Sequence, residues 1–174
     1  MYIVVGLGNP KEEYAHTRHN TGRMAAAYAG EKVQGIKVFV PDTFMNLSGK
    51  AVAKVIKSKK AAEKLIVLYD DLDLPLGAMR ISYNRSSGGH RGLESIIKAL
   101  KTEAFIRIRI GTTPATPSGK LKKPKGDKAV EKHILTDFKP SEMEILKKVF
   151  KRVAAAVETI AESGLQAAMT EFNK

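Results

Sequence analysis

Leu65-Ile66-Val67-Leu68-Tyr69-Asp70-Asp71-Leu72-Asp73 is an apolar run that ends in a cluster of carboxylates. It reads as a strand over Leu65 to Tyr69 that passes straight into an acidic turn. No helical pattern separates it from the next apolar stretch, Ala78 to Tyr83, so part of the sheet is expected to be antiparallel. Elsewhere strands and helices alternate. Tyr2 to Gly6 reads as a short buried strand ended by Gly8-Asn9-Pro10, and a helix is expected over Thr21 to Ala29. Ile36 to Val40, closed by Pro41, is a second strand, and Ser48 to Ile56 carries helical spacing. After Gly88-Gly89 comes a helix whose apolar face is Leu93, Ile96, Ile97 and Leu100. Phe105 to Ile110 has a period of two: Ile106, Ile108 and Ile110 face one way, and Phe105, Arg107 and Arg109 the other. The predicted fold class is α/β, a three-layer αβα sandwich around a twisted mixed, mostly parallel sheet.

Residues 112–128, rich in Pro, Gly and Lys, read as a mobile basic loop. Ser141 with Glu144 forms a capping-box pattern that opens a long amphipathic helix, with the core stripe Leu146, Val149, Phe150, Val153, Val157 and Ile160. A short helix over Leu165 to Phe172 completes the C-terminal helices at 140–174. No repeat or boundary divides residues 1–174, which are expected to form one domain.

The 174 residues are 43% hydrophobic and 28% charged, ordinary for a soluble globular chain. Cysteine is absent, which excludes disulfides and thiolate chemistry. No segment approaches the roughly 20 apolar residues that span a bilayer, and the first residues lack a signal-peptide pattern, so a cytoplasmic location is expected. Thirty Lys and Arg against eighteen Asp and Glu leave a formal charge of +12. That excess favours polyanionic partners through counterion release.

In an open α/β sheet, ligands bind beyond the carboxyl ends of the strands. Asn9, Asp70 and Asn46 lie after the first, third and second strands, and His19 lies in the segment that begins at Asn9. They make a candidate His–Asp–Asn–Asn cluster. A neutral imidazole can take a proton from water while a carboxylate fixes its tautomer, and side-chain amides can hold a carbonyl or an oxyanion. With no thiol and no G-x-S-x-G elbow, the economical chemistry is attack of water on an activated carbonyl. Gly6-x-Gly8 starts like a dinucleotide fingerprint, but Lys11 stands at the third glycine. His16 and His19, spaced i, i+3, could share a metal, yet no suitably spaced carboxylate completes the set. Asp70, Asp71 and Asp73 could bind a divalent cation or simply be solvated.

Several motifs occur in order: Gly6-Leu7-Gly8-Asn9-Pro10; Glu13-Tyr14-x-x-Thr17-Arg18-His19-Asn20-x-Gly22; Phe44-Met45-Asn46-Leu47-Ser48-Gly49; Asp70-x-Leu72-Asp73-Leu74-Pro75; Gly89-His90-x-Gly92-Leu93. Together they resemble bacterial-type peptidyl-tRNA hydrolase over nearly the whole chain. The resemblance implies release of peptide from peptidyl-tRNA, which recycles tRNA during translation, by a monomer without metal or cofactor. It implies that His19 activates water, that Asp70 stabilises its active form and that Asn9 contacts the peptide. Tyr14, Phe44 and Asn46 would line the pocket for the tRNA 3′ end, with His90 and Arg91 among the substrate contacts. The alternative for Phe44 is an ordinary core position.

Two departures stand out. The family's Gly-His-Asn-Gly reads Gly89-His90-Arg91-Gly92, and arginine only donates where asparagine also accepts. Ser82 stands where the family places a lysine for the tRNA 5′ phosphate; Arg109 matches the other phosphate contact, and Arg80 shares Ser82's face as a substitute. The segment between Gly22 and Phe44 is also shorter than the family's, which implies a trimmed helix and peripheral strand or hairpin. A non-catalytic tRNA- or RNA-binding relative on the same fold is the second reading. Retention of both His19 and Asp70 weighs against it.

Overall fold

The computed structural model describes residues 1–174. The elements are β1 (Tyr2–Gly6), α1 (Thr21–Lys32), β2 (Ile36–Phe39), α2 (Ser48–Val52), α3 (Lys59–Ala62), β3 (Leu65–Pro75), β4 (Met79–Tyr83), α4 (Arg91–Leu100), β5 (Ile106–Thr113), α5 (Asp127–Ile134), α6 (Pro140–Ser163) and α7 (Leu165–Phe172). The five strands form one sheet in the order β2-β1-β3-β5-β4. All neighbours run parallel except β4, which lies antiparallel to β5 at the edge. The expected α/β sandwich with a mixed, mostly parallel sheet is therefore what forms, with β4 paired to β5 rather than to β3.

Alternating residues of the sheet feed two cores. Val4, Ile66, Leu68, Ile106, Ile108 and Ile110 pack with residues of α1 and α6. Val5, Val67, Tyr69 and Phe105 pack with residues of α2 and α4 on the other face. Beyond Phe105 that second face turns polar: Arg107 and Arg109 on β5 stand opposite Ser82 and Arg80 on β4. The apolar cover stops there, which leaves room for a cavity.

Gly22 lets α1 sit directly on the sheet. A Cβ there would meet the Leu68 carbonyl oxygen at 2.1 Å, so any larger residue would lift the helix off β3. This close approach brings the segment just before α1, which carries His19, against the centre of the sheet.

Several expectations need correction. The acidic stretch is no turn: β3 runs through Asp70 to Pro75, because β5 continues alongside as Ile110 to Thr113 and extends the ladder. Asp70 thus sits within a strand. Residues 112–128 are not all loop, since Thr112 and Thr113 belong to β5 and Asp127 opens α5. α5 has no buried residue and only a Val130–Ile134 apolar pair, too little to stand out in a Lys-rich segment. α2 ends at Val52, not Ile56. The N-cap of α6 is Lys139, not Ser141; Pro140 starts the helix, and Glu142 Oε1 accepts from the Lys139 N–H at 2.8 Å. No helix is long and apolar enough to cross a membrane.

Candidate active site

His19 lies in a 3₁₀ turn, Arg18–Asn20, whose residues are all buried. Arg18 fixes this turn from behind. Its guanidinium meets Glu142 at the start of α6 with contacts of 2.9 and 3.1 Å, and donates to the carbonyls of Thr136 and Asp137. The ring of Phe138 lies under it at 5.1 Å. Removing one partner of a buried ion pair costs about 3–5 kcal/mol, because the other charge is left uncompensated. Glu142→Ala should therefore lower unfolding stability by that amount in urea titrations; a loss under about 1 kcal/mol would show the pair to be a bystander.

The other face of the turn meets β3. His19 Nδ1 lies 2.8 Å from Asp70 Oδ2, and His90 Nε2 lies 2.9 Å from Asp70 Oδ1. The three side chains are nearly inaccessible to solvent. Their protons can be assigned. His90 caps α4, with Nδ1 accepting from the Leu93 N–H at 3.2 Å, so its proton is on Nε2 and is donated to Asp70. His19 donates its Nδ1 proton to the second carboxylate oxygen, which leaves Nε2 with a free lone pair. Sequence reasoning placed His90 among the substrate contacts; here it shares the Asp70 carboxylate with His19 and caps the start of α4.

Burial would push the Asp70 carboxyl up, but His19 and His90, through their charge once protonated and through their hydrogen bonds, hold it well below the usual carboxylate range. The sign for folding follows. A depressed carboxyl stabilises the fold fully above its ordinary value of 3.8, and this contribution is lost as pH falls through the lowered value. The stability gap between wild type and Asp70→Asn should narrow as pH drops below about 4 towards about 2 in acid-unfolding titrations; a constant gap there would contradict the assignment. His19, Asp70 and His90 also place ligand atoms within 4.8 Å, close enough for one metal ion, although here they satisfy one another. His16 is exposed and is not a member of this group.

Asn20, next to His19 in the chain, is hydrogen-bonded to Asn9. Its Oδ1 accepts from the Asn9 N–H at 2.8 Å, and its Nδ2 donates to the Asn9 carbonyl at 2.9 Å. Asn9 Oδ1 in turn accepts from the Met45 N–H at 2.9 Å, so the amide Nδ2 is the end left to donate. The Asn9 oxygen is thus engaged by the backbone. Met45 packs against Gly92, where a Cβ would strike its sulfur at 2.4 Å, and this contact holds the Asn9 segment beside His90. Asn20 was quoted only as part of a motif; its position next to the histidine was the one sequence signal of its role.

Phe44 is 43% exposed and so is no core residue. Tyr14 meets it edge-on at 6.5 Å, and the Lys11 ammonium lies 5.5 Å from its ring. Asn46 is exposed and makes no hydrogen bond to the cluster, so the fourth member of the expected quartet stands outside it. On the other side of His19 opens a cavity of about 290 Å³, whose walls include Tyr69, Asp70, His90, Arg91, Arg107 and Arg109. Burial, reinforced by Asp71, pushes the Tyr69 phenol up to about 12, so it stays protonated. Arg80 is exposed on the strand opposite Arg109 and lies outside the cavity wall.

The family model described as peptidyl-tRNA hydrolase matches residues 3–174. The chain belongs to the peptidyl-tRNA hydrolase family. Among curated members, it is 38% identical to the peptidyl-tRNA hydrolase of Carboxydothermus hydrogenoformans, covering 100% of this chain and 99% of that one. It is 39% identical to that of Caldanaerobacter subterraneus subsp. tengcongensis, covering 99% and 100%. Among solved structures, the peptidyl-tRNA hydrolase of Acinetobacter baumannii superposes with a TM-score of 0.85 at 26% identity, covering 99% of this chain and 94% of that one. A member of this family hydrolyses peptidyl-tRNA, and the reading as a non-catalytic binder is not favoured.

Proposed function

We propose that His19 is the general base of peptidyl-tRNA ester hydrolysis, with Asp70 holding its tautomer and Asn9 holding the scissile carbonyl. One observation carries this reading: Asp70 accepts a hydrogen bond from the Nδ1–H of His19, so the Nε2 lone pair is free for water. Water attacks the ester carbonyl carbon as its proton passes to Nε2, and Asp70 stabilises the imidazolium. The tetrahedral intermediate collapses, the bond to the tRNA ribose oxygen breaks, and the imidazolium returns the proton to that oxygen. The free Nδ2 of Asn9 is the donor suited to the carbonyl oxygen as it gains charge.

The exposed Phe44 edge by Tyr14 offers a stacking surface for a terminal base, worth on the order of 1–3 kcal/mol. Arg109 serves the tRNA backbone. Its Nε donates to Asp71 Oδ2 at 2.7 Å, which leaves both terminal nitrogens for a phosphate, and Arg80 stands across the ladder. Arg109→Ala should weaken tRNA binding and reduce the salt slope by about 0.9, the value for one lost phosphate contact. An unchanged slope would remove Arg109 from the interface. The protein should act as a monomer, in the cytoplasm where peptidyl-tRNA occurs. The test of the whole reading is release of peptide from N-blocked aminoacyl-tRNA. Tight tRNA binding without release would overturn it.

A further inference from the structure

Arg23 lies in the first turn of α1 and is half-buried. Its stem crosses Gly8, where a Cβ would meet the Arg23 Cδ at 2.7 Å. Beyond Gly8 the guanidinium forks between two segments. Nη1 donates to the Asn9 carbonyl at 3.1 Å, and Nη2 donates to the Pro41 carbonyl. Nε is buried without an acceptor. Asp42 favours the charge but forms no ion pair with it, and burial pulls the guanidinium below its ordinary range. A cation withdrawn from water with only carbonyls for partners is costly to keep. What it secures is geometry.

β2 ends at Phe39, and the chain then runs to Phe44 and Met45 with little support. Among residues 41–43 the Pro41 carbonyl is the only backbone group in a hydrogen bond, and the donor is Arg23. The next tie is the Met45 N–H, which donates to Asn9 Oδ1 at 2.9 Å. Both ties therefore end on Asn9, one on its backbone by way of Arg23 and one on its side chain. Asn20 Nδ2 donates to the same Asn9 carbonyl, but only Arg23 leads from there to Pro41.

We propose that Arg23 is a positioning residue for hydrolysis, fixing the Pro41–Met45 segment to Asn9. It sets the direction of Asn9 Nδ2 and the place of the Phe44 ring together, and so rests on the roles proposed for those residues above. Without the fork, the Met45 N–H drifts from Asn9 Oδ1 and the amide is free to turn its oxygen towards the substrate carbonyl. A lysine is no substitute, because an ammonium is a point donor and the two carbonyls need a planar fork.

Arg23→Met keeps the stem over Gly8 and removes every donor. Its kcat/KM for N-blocked aminoacyl-tRNA should fall about 10²-fold, the cost of a small misplacement, through a lower kcat and a higher KM. The pH profile of kcat should stay as in wild type, because His19 and Asp70 are untouched. Amide hydrogen exchange should quicken at the Met45 N–H and stay unchanged at the Leu93 N–H, which shows that the fold is intact. Arg23→Lys should recover little of the loss; full recovery would make charge the cause and overturn the proposal. Wild-type kcat and KM in Arg23→Met, or unchanged protection of Met45, would overturn it too. If the wild type releases no peptide, the general-base reading fails instead. Faster Met45 exchange with weaker binding of deacylated tRNA would still support the brace, and no change in either would overturn it.

Discussion

His19→Ala should slow release of peptide from N-blocked aminoacyl-tRNA by about 10²–10⁴-fold, the usual contribution of a positioned general base. The imidazole stands in a buried turn with one nitrogen committed to Asp70, so its Nε2 is the acceptor that the geometry prepares for water. Affinity for deacylated tRNA should change little, because the arginines proposed to meet the backbone keep their places. Adding Asp70→Asn to His19→Ala should cost almost nothing more, since a positioning group has no effect once its base is gone. Wild-type turnover by the alanine variant would remove His19 from the mechanism. A full additive loss in the double variant would give Asp70 a task of its own.

Asp70→Asn is expected to be nearly as damaging as loss of the base, with turnover down about 10³–10⁴-fold. The reason lies in proton assignment rather than in charge alone. A carboxylate accepts from both rings, whereas an asparagine has one accepting oxygen and one donating amide. His90 cannot change tautomer without losing the Leu93 N–H that its Nδ1 accepts, so it keeps the oxygen. The amide then faces His19 Nδ1, which must become an acceptor, and the ring proton moves to Nε2, where water needs a lone pair. Nitrogen-15 shifts of His19 report this directly: protonated Nδ1 in wild type and protonated Nε2 in the variant. An unchanged tautomer with unchanged turnover would defeat the argument.

Much of the scaffold could be read from the chain. The period-two alternation of Phe105 to Ile110 gave the two faces of β5 correctly, because each isoleucine has one apolar layer to enter. Composition misled where tertiary pairing overrode it. Asp70 to Asp73 look like a turn, but a neighbouring strand supplied the hydrogen bonds that keep them extended. Helix α5 was missed because no residue in it is buried, so no apolar stripe marks it. His19 and Asp70 were legible as candidates. Their union with His90 was not, since the helix-capping bond that fixes the His90 proton is visible only in three dimensions. Arg107 was placed on the right face of β5, opposite Ser82.

The ion pair between Arg18 and Glu142 joins residues 124 positions apart in the chain. During synthesis the histidine therefore emerges long before the segment that braces its turn. A nascent chain can lay down β1, α1 and β3 while the turn that carries His19 still lacks its brace, until the first turn of α6 has left the ribosome. The activity proposed for His19 is thus deferred, by the order of the chain itself, until a segment far from it in sequence has been made.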